Sequence, residues 1–318
     1  METAEPVRRP PEIEEVTNLY FIHPVASLLT PLFADMRIPP NAVSVAGMLF
    51  GVLAGVAYYH YQDPRCTIAG FILMIAWHVL DGADGQLARL THSQSRSGKV
   101  LDGVCDYVTF IAVYTGLALT LSRQYDARVW VLVIAAGACH AVQAAAYEAQ
   151  RQEYNFLGWD RKSMEILRSN APPRDARVAS PARRVADLLY RLYARVQFLV
   201  AGATVEFHER LAATLELQPE RAASIRRRYR EVFAPTVRRW SVMSANYRTI
   251  GIFICALLNA PMYYFIFEIA GFSVILVVLL SGQQARYALF SRDPGIVPAT
   301  AHRALSIGTA KEITRQGH

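Results

Sequence analysis

The sequence predicts an all-α integral membrane protein, in which six transmembrane helices form a bundle and an N-terminal amphipathic helix lies at the membrane interface. Of the 318 residues, 53% are hydrophobic and only 19% are charged. The apolar residues are concentrated in six stretches without Asp, Glu, Lys or Arg, and a helix needs about 20 mostly apolar residues to cross a bilayer. These stretches are 38–62, 66–80, 107–122, 129–147, 249–267 and 269–285.

The N-terminal residues are predicted to form a juxtamembrane segment. Residues 1–15 are acidic and rich in proline, and they lack the apolar run of a cleavable signal peptide. We therefore expect the first span to direct membrane insertion. Between residues 12 and 36, apolar side chains recur at roughly helical spacing, which is typical of an amphipathic helix that lies in the membrane interface.

The first span carries two local signals. It begins at Pro40 and Asn41, residue types that suit the start of a helix. Gly47, Gly51 and Gly55 then follow four residues apart, a pattern that allows another helix to approach closely. We expect that helix to be in the same chain, although the stripe also permits a homodimer.

The charge distribution predicts the topology. Residues 151–240 hold seventeen Arg and one Lys against ten acidic residues, an excess larger than the net charge of +7 of the whole chain. Basic segments beside membrane helices usually face the cytoplasm, so we expect this segment and both termini there, in contact with membrane lipids rather than nucleic acid. The sequence therefore predicts five segments. Residues 1–36 are juxtamembrane, 37–150 hold four spans, and 151–240 form the insertion with an amphipathic helix over 183–200. Residues 241–290 hold two spans joined near Pro261 or Glu268, and residues 291–318 form the tail.

Four aspartates mark the connection between the second and third spans. Asp81 and Asp84 are three residues apart and Asp102 and Asp106 are four apart, so each pair shares one face of a helix. If the two helices are antiparallel neighbours, all four carboxylates converge. Charges in a membrane bundle are costly unless they are paired, bind a metal or have a function. The sequence therefore predicts a site for Mg²⁺ or Mn²⁺, of which two ions can hold both phosphates of a diphosphate.

Small residues and one arginine lie among the aspartates. Gly85, Ala88 and Gly98 leave room for a bulky ligand to approach the backbone. Arg89 carries a permanent positive charge with several hydrogen-bond donors, which suits a phosphate group.

These residues resemble the motif of the CDP-alcohol phosphotransferase (CDP-alcohol phosphatidyltransferase) family, D-x2-D-G-x2-A-R followed by G-x3-D-x3-D. The chain matches every fixed position, with eight residues between the two halves. The likeness covers residues 37–150 well and the last two spans in outline, whereas the insertion is longer than the family leads us to expect. The matching residues are Asp81, Asp84, Gly85, Ala88, Arg89, Gly98, Asp102 and Asp106.

The resemblance implies an enzyme of phospholipid or polar-lipid synthesis, which transfers the phosphate-linked group of a CDP-alcohol donor to the hydroxyl of an alcohol or lipid acceptor and releases CMP. Two donor types stay open. One is CDP-diacylglycerol with a water-soluble acceptor, and the other is CDP-choline or CDP-ethanolamine with a lipid acceptor. Thr91 and Ser97 around the connecting loop, together with residues 102–106, resemble the aminoalcohol branch of the family and slightly favour the second type.

The resemblance also implies a role for each matching residue. Asp106 would be the general base as well as a metal ligand, and Arg89 would contact a phosphate or brace the carboxylates. The implied metal ligands are Asp81, Asp84, Asp102 and Asp106. The implied lining of the CDP site is Gly85, Ala88 and Gly98, beside Arg89.

A membrane transporter or channel is the alternative, because aspartates inside membrane helices often belong to an ion pathway. It leaves Gly85 and Ala88 unexplained. A second alternative is a membrane-anchored scaffold whose working part is the basic insertion. Among other candidates, we expect the lone histidines His78, His92 and His140 to be packing residues. Tyr147, Arg151 and Tyr154 share one helix face and suit either an acceptor head group or anchoring at the interface.

Overall fold

The computed structural model of the protein describes residues 10–159 and 218–291, together with the helical positions Phe207, Leu211, Thr214 and Leu215. These residues are overwhelmingly helical, and none of them lies in a β-strand. The helices are α1 (His23–Asp35), α2 (Pro40–Tyr59), α3 (Pro64–Leu90), α4 (Arg96–Gln124), α5 (Val129–Trp159), α6 (Pro219–Trp240), α7 (Ala245–Leu257), α8 (Pro261–Ile269) and α9 (Gly271–Ser291). A short 3-10 turn (Pro11–Ile13) and a π-helical segment (Asn18–Ile22) precede α1.

Within the described residues, five helices are long and apolar enough to cross a membrane. Four of them are α2, α3, α4 and α5, which correspond to the first four predicted spans. The fifth runs from Pro261 to Ser291 and comprises α8 and α9. The prediction of an all-helical protein with several apolar helices of membrane-spanning length is therefore confirmed, whereas the count of six spans is not.

The predicted fifth span, 249–267, is interrupted. Helix α7 ends at Leu257, and α8 begins at Pro261. Between them Asn259 has a φ of 56°, a left-handed conformation that ends a helix, and Pro261 occupies the first turn of the next one. With 13 residues, α7 is shorter than the length needed to span a bilayer. Glu268 is not a turn residue, since it is buried inside α8.

Helix α2 is the centre of the bundle and packs against both α3 and α4. A methyl group placed on Gly47 would lie 3.3 Å from Cβ of Leu80 on α3. One placed on Gly51 would overlap the side chain of Thr109 on α4, and one on Gly55 would overlap the backbone of the same helix. The glycine stripe is therefore filled by helices of the same chain, as predicted.

Helix α1 packs along α3 and has two different faces. Ala26 and Thr30 are buried, and a methyl group on Gly82 of α3 would lie 3.4 Å from Cβ of Ala26. On the opposite face Leu28 is 77% exposed, and Leu32 is also exposed. Apolar side chains directed away from the protein suit lipid contact, so a position in the membrane interface stays our prediction for this helix.

Helix α5 continues to Trp159, beyond the predicted end of the fourth span near Tyr147. Its last two turns are buried by α6 rather than by lipid. The Glu153 carboxylate accepts hydrogen bonds from Tyr229 of α6 at 2.8 Å and from Tyr287 of α9 at 2.6 Å. The amphipathic helix predicted over 183–200 lies outside the described residues, as do residues 1–9 and 292–318.

Two arginines of α6 satisfy the last carbonyl groups of α5. Arg226 donates to the carbonyl oxygen of Phe156 at 2.7 Å and to that of Leu157 at 3.0 Å. Arg230 donates to the carbonyl oxygen of Gly158. Cations at a helix C-terminus satisfy its unpaired carbonyls and oppose its negative dipole end. Part of the basic insertion is therefore used to end α5 and to hold α6 against it.

A fully buried ion pair joins the C-terminal helices to the rest of the bundle. Nε of Arg248 on α7 lies 3.1 Å from Oε1 of Glu268 on α8, and neither side chain is exposed to solvent. Arg248 also donates to Gln143 of α5 at 2.8 Å. Tyr264 donates to Glu268 at 2.8 Å and shares a hydrogen bond of 2.9 Å with Tyr114 of α4. Four helices thus meet in one hydrogen-bonded network.

We expect Arg248→Met to destabilise the protein by about 3–5 kcal/mol, because it leaves the Glu268 charge buried without its partner. The double variant Arg248→Met/Glu268→Leu should be more stable than Arg248→Met, since it removes both charges. Thermal unfolding of the purified protein in detergent measures this. The matched control is Arg128→Met, whose ion pair with Asp126 is largely exposed and should contribute little. A single variant as stable as the unmutated protein would contradict the prediction.

Candidate functional site

The site is formed where α3 ends and α4 begins. The side chain of Ser95 caps α4 by accepting a hydrogen bond of 3.0 Å from the backbone N–H of Gly98. Because α3 and α4 run in opposite directions on either side of α2, the aspartates at the end of α3 face those at the start of α4. The sequence prediction assumed antiparallel neighbours; in the structure the two helices are antiparallel, but each packs mainly against α2.

Three of the four aspartates converge. One carboxylate oxygen from each of Asp81, Asp102 and Asp106 lies within 4.8 Å of the others. Oδ1 of Asp106 is buried and has no hydrogen-bond partner among the described residues. Like charges this close repel each other, and a cation between them removes that repulsion. An all-oxygen donor set with one unsatisfied buried oxygen therefore fits a hard divalent cation.

Asp84 lies beside this group but is held differently. Its side chain is 5% exposed, and Oδ2 accepts a hydrogen bond from the hydroxyl of Ser44 on α2. It does not belong to the three carboxylates that meet within 4.8 Å. Sequence reasoning missed Ser44, for which the one available signal was its place on the same helix as the glycine stripe, three residues before Gly47.

One recess between α2, α3 and α4 connects these groups. All four aspartates line it, and so do four residues that the sequence had not singled out for the site. These are Ser44, Gly47, Trp77 and Cys105. Trp77 is 3% exposed and packs edge-on against Phe110 at 5.5 Å between ring centres, so it closes the recess toward the middle of the bundle.

The small residues of the predicted CDP site differ from the glycine stripe of α2 in what surrounds them. A methyl group on Gly85 would meet only the guanidinium of Arg89, at 3.5 Å. Close packing therefore does not require a glycine there, which leaves its surroundings open to a ligand. A methyl group on Gly98 would lie 3.1 Å from Oγ of Ser95 and 3.4 Å from Oδ1 of Asn41 at the start of α2. Ala88 and Arg89 are half-buried at the end of α3.

The three histidines that the sequence analysis expected to be packing residues have different surroundings. His78 lies 2.9 Å from the Thr249 hydroxyl, and His140 lies 3.1 Å from the Tyr114 hydroxyl. Both are therefore packing residues that join neighbouring helices, as expected. His92 lies in the connection between α3 and α4 with a φ of 51°.

Tyr147, Arg151 and Tyr154 lie against other parts of the protein. Arg151 forms an ion pair with Glu148 at 3.0 Å and lies over the Tyr147 ring. Tyr154 is completely buried beside Tyr229 of α6, so it anchors helix to helix instead of helix to membrane interface. The sequence did not indicate this contact, because it depends on how the insertion folds back.

Comparison with known proteins gives a consistent set of relatives. The sequence model of the CDP-alcohol phosphatidyltransferase family matches residues 37–163. The CDP-diacylglycerol–serine O-phosphatidyltransferase of Mycobacterium tuberculosis is 31% identical over 120 residues, which are 37% of this chain and 40% of that protein. The archaetidylinositol phosphate synthase of Pyrococcus horikoshii is 31% identical over 100 residues, 31% of this chain and 51% of the relative.

A longer alignment extends into the insertion. The bifunctional IPC transferase and DIPP synthase of Thermococcus kodakarensis is 26% identical over 180 residues, which are 56% of this chain and 39% of that protein. The chain thus spans about half or less of the length of the curated relatives that it matches.

We expect Mg²⁺ or Mn²⁺ to raise the thermal unfolding temperature of the protein, because a ligand that binds only the folded state stabilises it, by about 2.7 kcal/mol at 100 times its Kd. Asp106→Asn should abolish this increase. In EDTA the same variant should be no less stable than the unmutated protein, since it removes one of three repelling charges. Asp126→Asn, at the opposite end of α4, is the control and should retain the full response to metal. An equal response in both variants would contradict the prediction.

Proposed function

Because the sequence model of the CDP-alcohol phosphatidyltransferase family matches residues 37–163, we propose that the protein transfers a phosphatidyl group from CDP-diacylglycerol to the hydroxyl of an acceptor alcohol and releases CMP. The observation that carries the proposal is the convergence of Asp81, Asp102 and Asp106 within 4.8 Å, at the positions of the family motif. Such an enzyme belongs to phospholipid synthesis.

The relatives favour CDP-diacylglycerol as the donor. The mycobacterial relative is named for this donor. The slight preference for a small CDP-alcohol rested on Thr91, Ser97 and residues 102–106, and Thr91 and Ser97 have local explanations. The Thr91 hydroxyl donates to the Leu87 carbonyl at 2.8 Å, and the Ser97 hydroxyl lies 3.2 Å from that of Ser95. Hydrogen bonds within the connecting loop account for these residues, so they carry no argument about the donor.

We propose Asp81, Asp84, Asp102 and Asp106 as the ligands of two divalent cations, Mg²⁺ or Mn²⁺. The cations, when bound, would neutralise the diphosphate of the donor and stabilise the negative charge on the departing CMP. The buried, unsatisfied oxygen of Asp106 and the all-carboxylate donor set support this assignment.

The other roles in the proposed reaction belong to residues of the chain. Asp106 accepts the proton of the acceptor hydroxyl. The acceptor oxygen forms a bond to the phosphorus that carries the diacylglycerol, while the bond from this phosphorus to the oxygen of CMP breaks. Arg89 binds a phosphate, for which a half-buried arginine in the last turn of α3, five residues after Asp84, is suited. Gly85, Ala88 and Gly98 leave space for the nucleotide.

The site and both termini are proposed to face the cytoplasm. Because five spans would place the termini on opposite sides, this topology requires α7 to act as a short sixth crossing. The connection between α3 and α4, the end of α5 and the arginine-rich α6 all lie at one end of the bundle. An excess of positive charge at that end agrees with a cytoplasmic location. There the enzyme can take its lipid donor from the membrane and its acceptor from the aqueous side. A homodimer remains compatible with this arrangement.

The alternative of a transporter or channel is less well supported by the packing beneath the site. A pathway would have to continue from the aspartates between α2, α3 and α4. Instead Trp77 closes the recess, and Gly51 and Gly55 bring α2 into direct contact with α4 farther along. A recess that is closed at one end suits an active site better than an ion pathway through the bundle.

The test is CMP release by the purified protein in lipid vesicles with Mg²⁺, CDP-diacylglycerol and a panel of acceptors that includes serine and an inositol phosphate. We expect release with one acceptor and a loss of at least 1,000-fold in Asp106→Asn, since that change removes a base and a proposed metal ligand together.

Asp126→Asn serves as the matched control, because it changes an exposed aspartate outside the recess and should leave the rate unchanged. Ion flux through vesicles without CMP release would support the transporter instead. Release of CMP from CDP-choline but not from CDP-diacylglycerol would overturn the proposed donor and keep the reaction class.

A further inference from the structure

The hydrogen bond between Ser44 and Asp84 joins two helices inside the recess. Ser44 lies on α2 and Asp84 on α3, and the hydroxyl of the first donates to Oδ2 of the second. Both side chains are buried, at 7% and 5% exposure. Forty residues separate them in the chain, so the bond is a tertiary contact that exists only when α2 and α3 are packed together.

The hydroxyl of Ser44 has one hydrogen and two acceptors within reach. The second acceptor is the carbonyl oxygen of Pro40, at 3.2 Å. That carbonyl lies in the first turn of α2, where the helix itself supplies an N–H donor four residues later. A carboxylate is also the stronger acceptor of the two. The hydrogen therefore points to Asp84, and the contact with Pro40 is secondary.

The position of Ser44 is fixed by the packing of α2. Pro40 sets the start of the helix, and Gly47, almost one turn after Ser44, lies so close to Leu80 that a methyl group would be 3.3 Å from it. Leu80 directly precedes the aspartate motif on α3. The donor and the carboxylate are thus held by the same close contact between the two helices, which leaves little freedom for Ser44 to move away.

We propose that Ser44 is a positioning residue, which fixes the Asp84 carboxylate through Oδ2 and so directs its other oxygen to the cation site of Asp81, Asp102 and Asp106. Hydrogen bonds to ligating carboxylates orient them and commonly change metal affinity by 10-fold to 100-fold. Without this bond the Asp84 carboxylate can rotate about its last torsion, which has a broad energy profile. The inference rests on the proposed function only in that it requires a divalent cation at this site.

The first measurement is Mn²⁺ binding to the purified protein without substrates, followed by electron paramagnetic resonance. We expect Ser44→Ala to weaken binding of at least one ion by about 10-fold or more, in the range typical of such partners. Ser44→Thr keeps a hydroxyl and should retain most of the affinity. In the CMP-release assay, the Mg²⁺ concentration for half-maximal rate should rise by a similar factor in Ser44→Ala, while the rate at saturating Mg²⁺ recovers.

Ser281→Ala is the matched control. The hydroxyl of Ser281 on α9 also donates to the carbonyl four residues before it, at 2.8 Å from Val277, but it has no carboxylate beside it among the described residues. It should bind Mn²⁺ like the unmutated protein. Thermal unfolding in EDTA separates loss of affinity from loss of fold, because Ser44→Ala should unfold within a few degrees of the control.

The outcomes separate this inference from the proposed function. Unchanged Mn²⁺ affinity in Ser44→Ala overturns the role of Ser44, even if CMP is released. Weakened affinity in Ser44→Ala and retained affinity in Ser44→Thr support it, even if no acceptor in the panel is turned over. If the unmutated protein binds no Mn²⁺, both the metal centre and the role of Ser44 are wrong.

Discussion

Charge inside an apolar helical bundle must be compensated, and this protein does so in two different ways. The Arg248–Glu268 pair is balanced within the chain, with matched charges and hydrogen bonds to further helices. The aspartates at the end of α3 and the start of α4 bring charges of one sign together. Such a group is stable only with a cation from outside the chain or with protons. The first arrangement is structural, and the second is the feature from which a reaction can be inferred.

The geometry of α2 makes the second arrangement specific. Its glycines let α3 and α4 approach from two sides, so that the aspartates of both helices meet over the first turns of α2. Ser44 and Asn41 of those turns reach Asp84 and the surroundings of Gly98. A larger residue at Gly51 or Gly55 would push α4 outward and widen the distance between the carboxylates. The stripe that sequence reasoning assigned to helix packing therefore also sets the dimensions of the site.

The sequence allowed the site to be predicted better than the C-terminal helices. Residue spacing alone placed each pair of aspartates on one helix face, and an antiparallel hairpin was the one further assumption needed. The contact from Ser44 could not be predicted, because it depends on the rotation of α2 relative to α3. Of the two candidate junctions between the last two predicted spans, Pro261 is the one at which the structure breaks, and the apolar residues on both sides of it gave no signal to choose between them. Glu268 was the other candidate, and its buried role could not be predicted because its partner, Arg248, is 20 residues away.

The arginines of α6 show why a count of charges does not assign them a role. The excess of positive charge in the insertion predicted contact with a membrane surface. Yet Arg226 and Arg230 turn inward and donate to the last carbonyl groups of α5, whereas Arg227 and Arg228 on the same turn are exposed. Because the helix repeats every 3.6 residues, some arginines of α6 bind the C-terminal carbonyl groups of α5 while others face outward. Positive charge that predicted contact with a membrane surface therefore also stabilises the contact between α5 and α6.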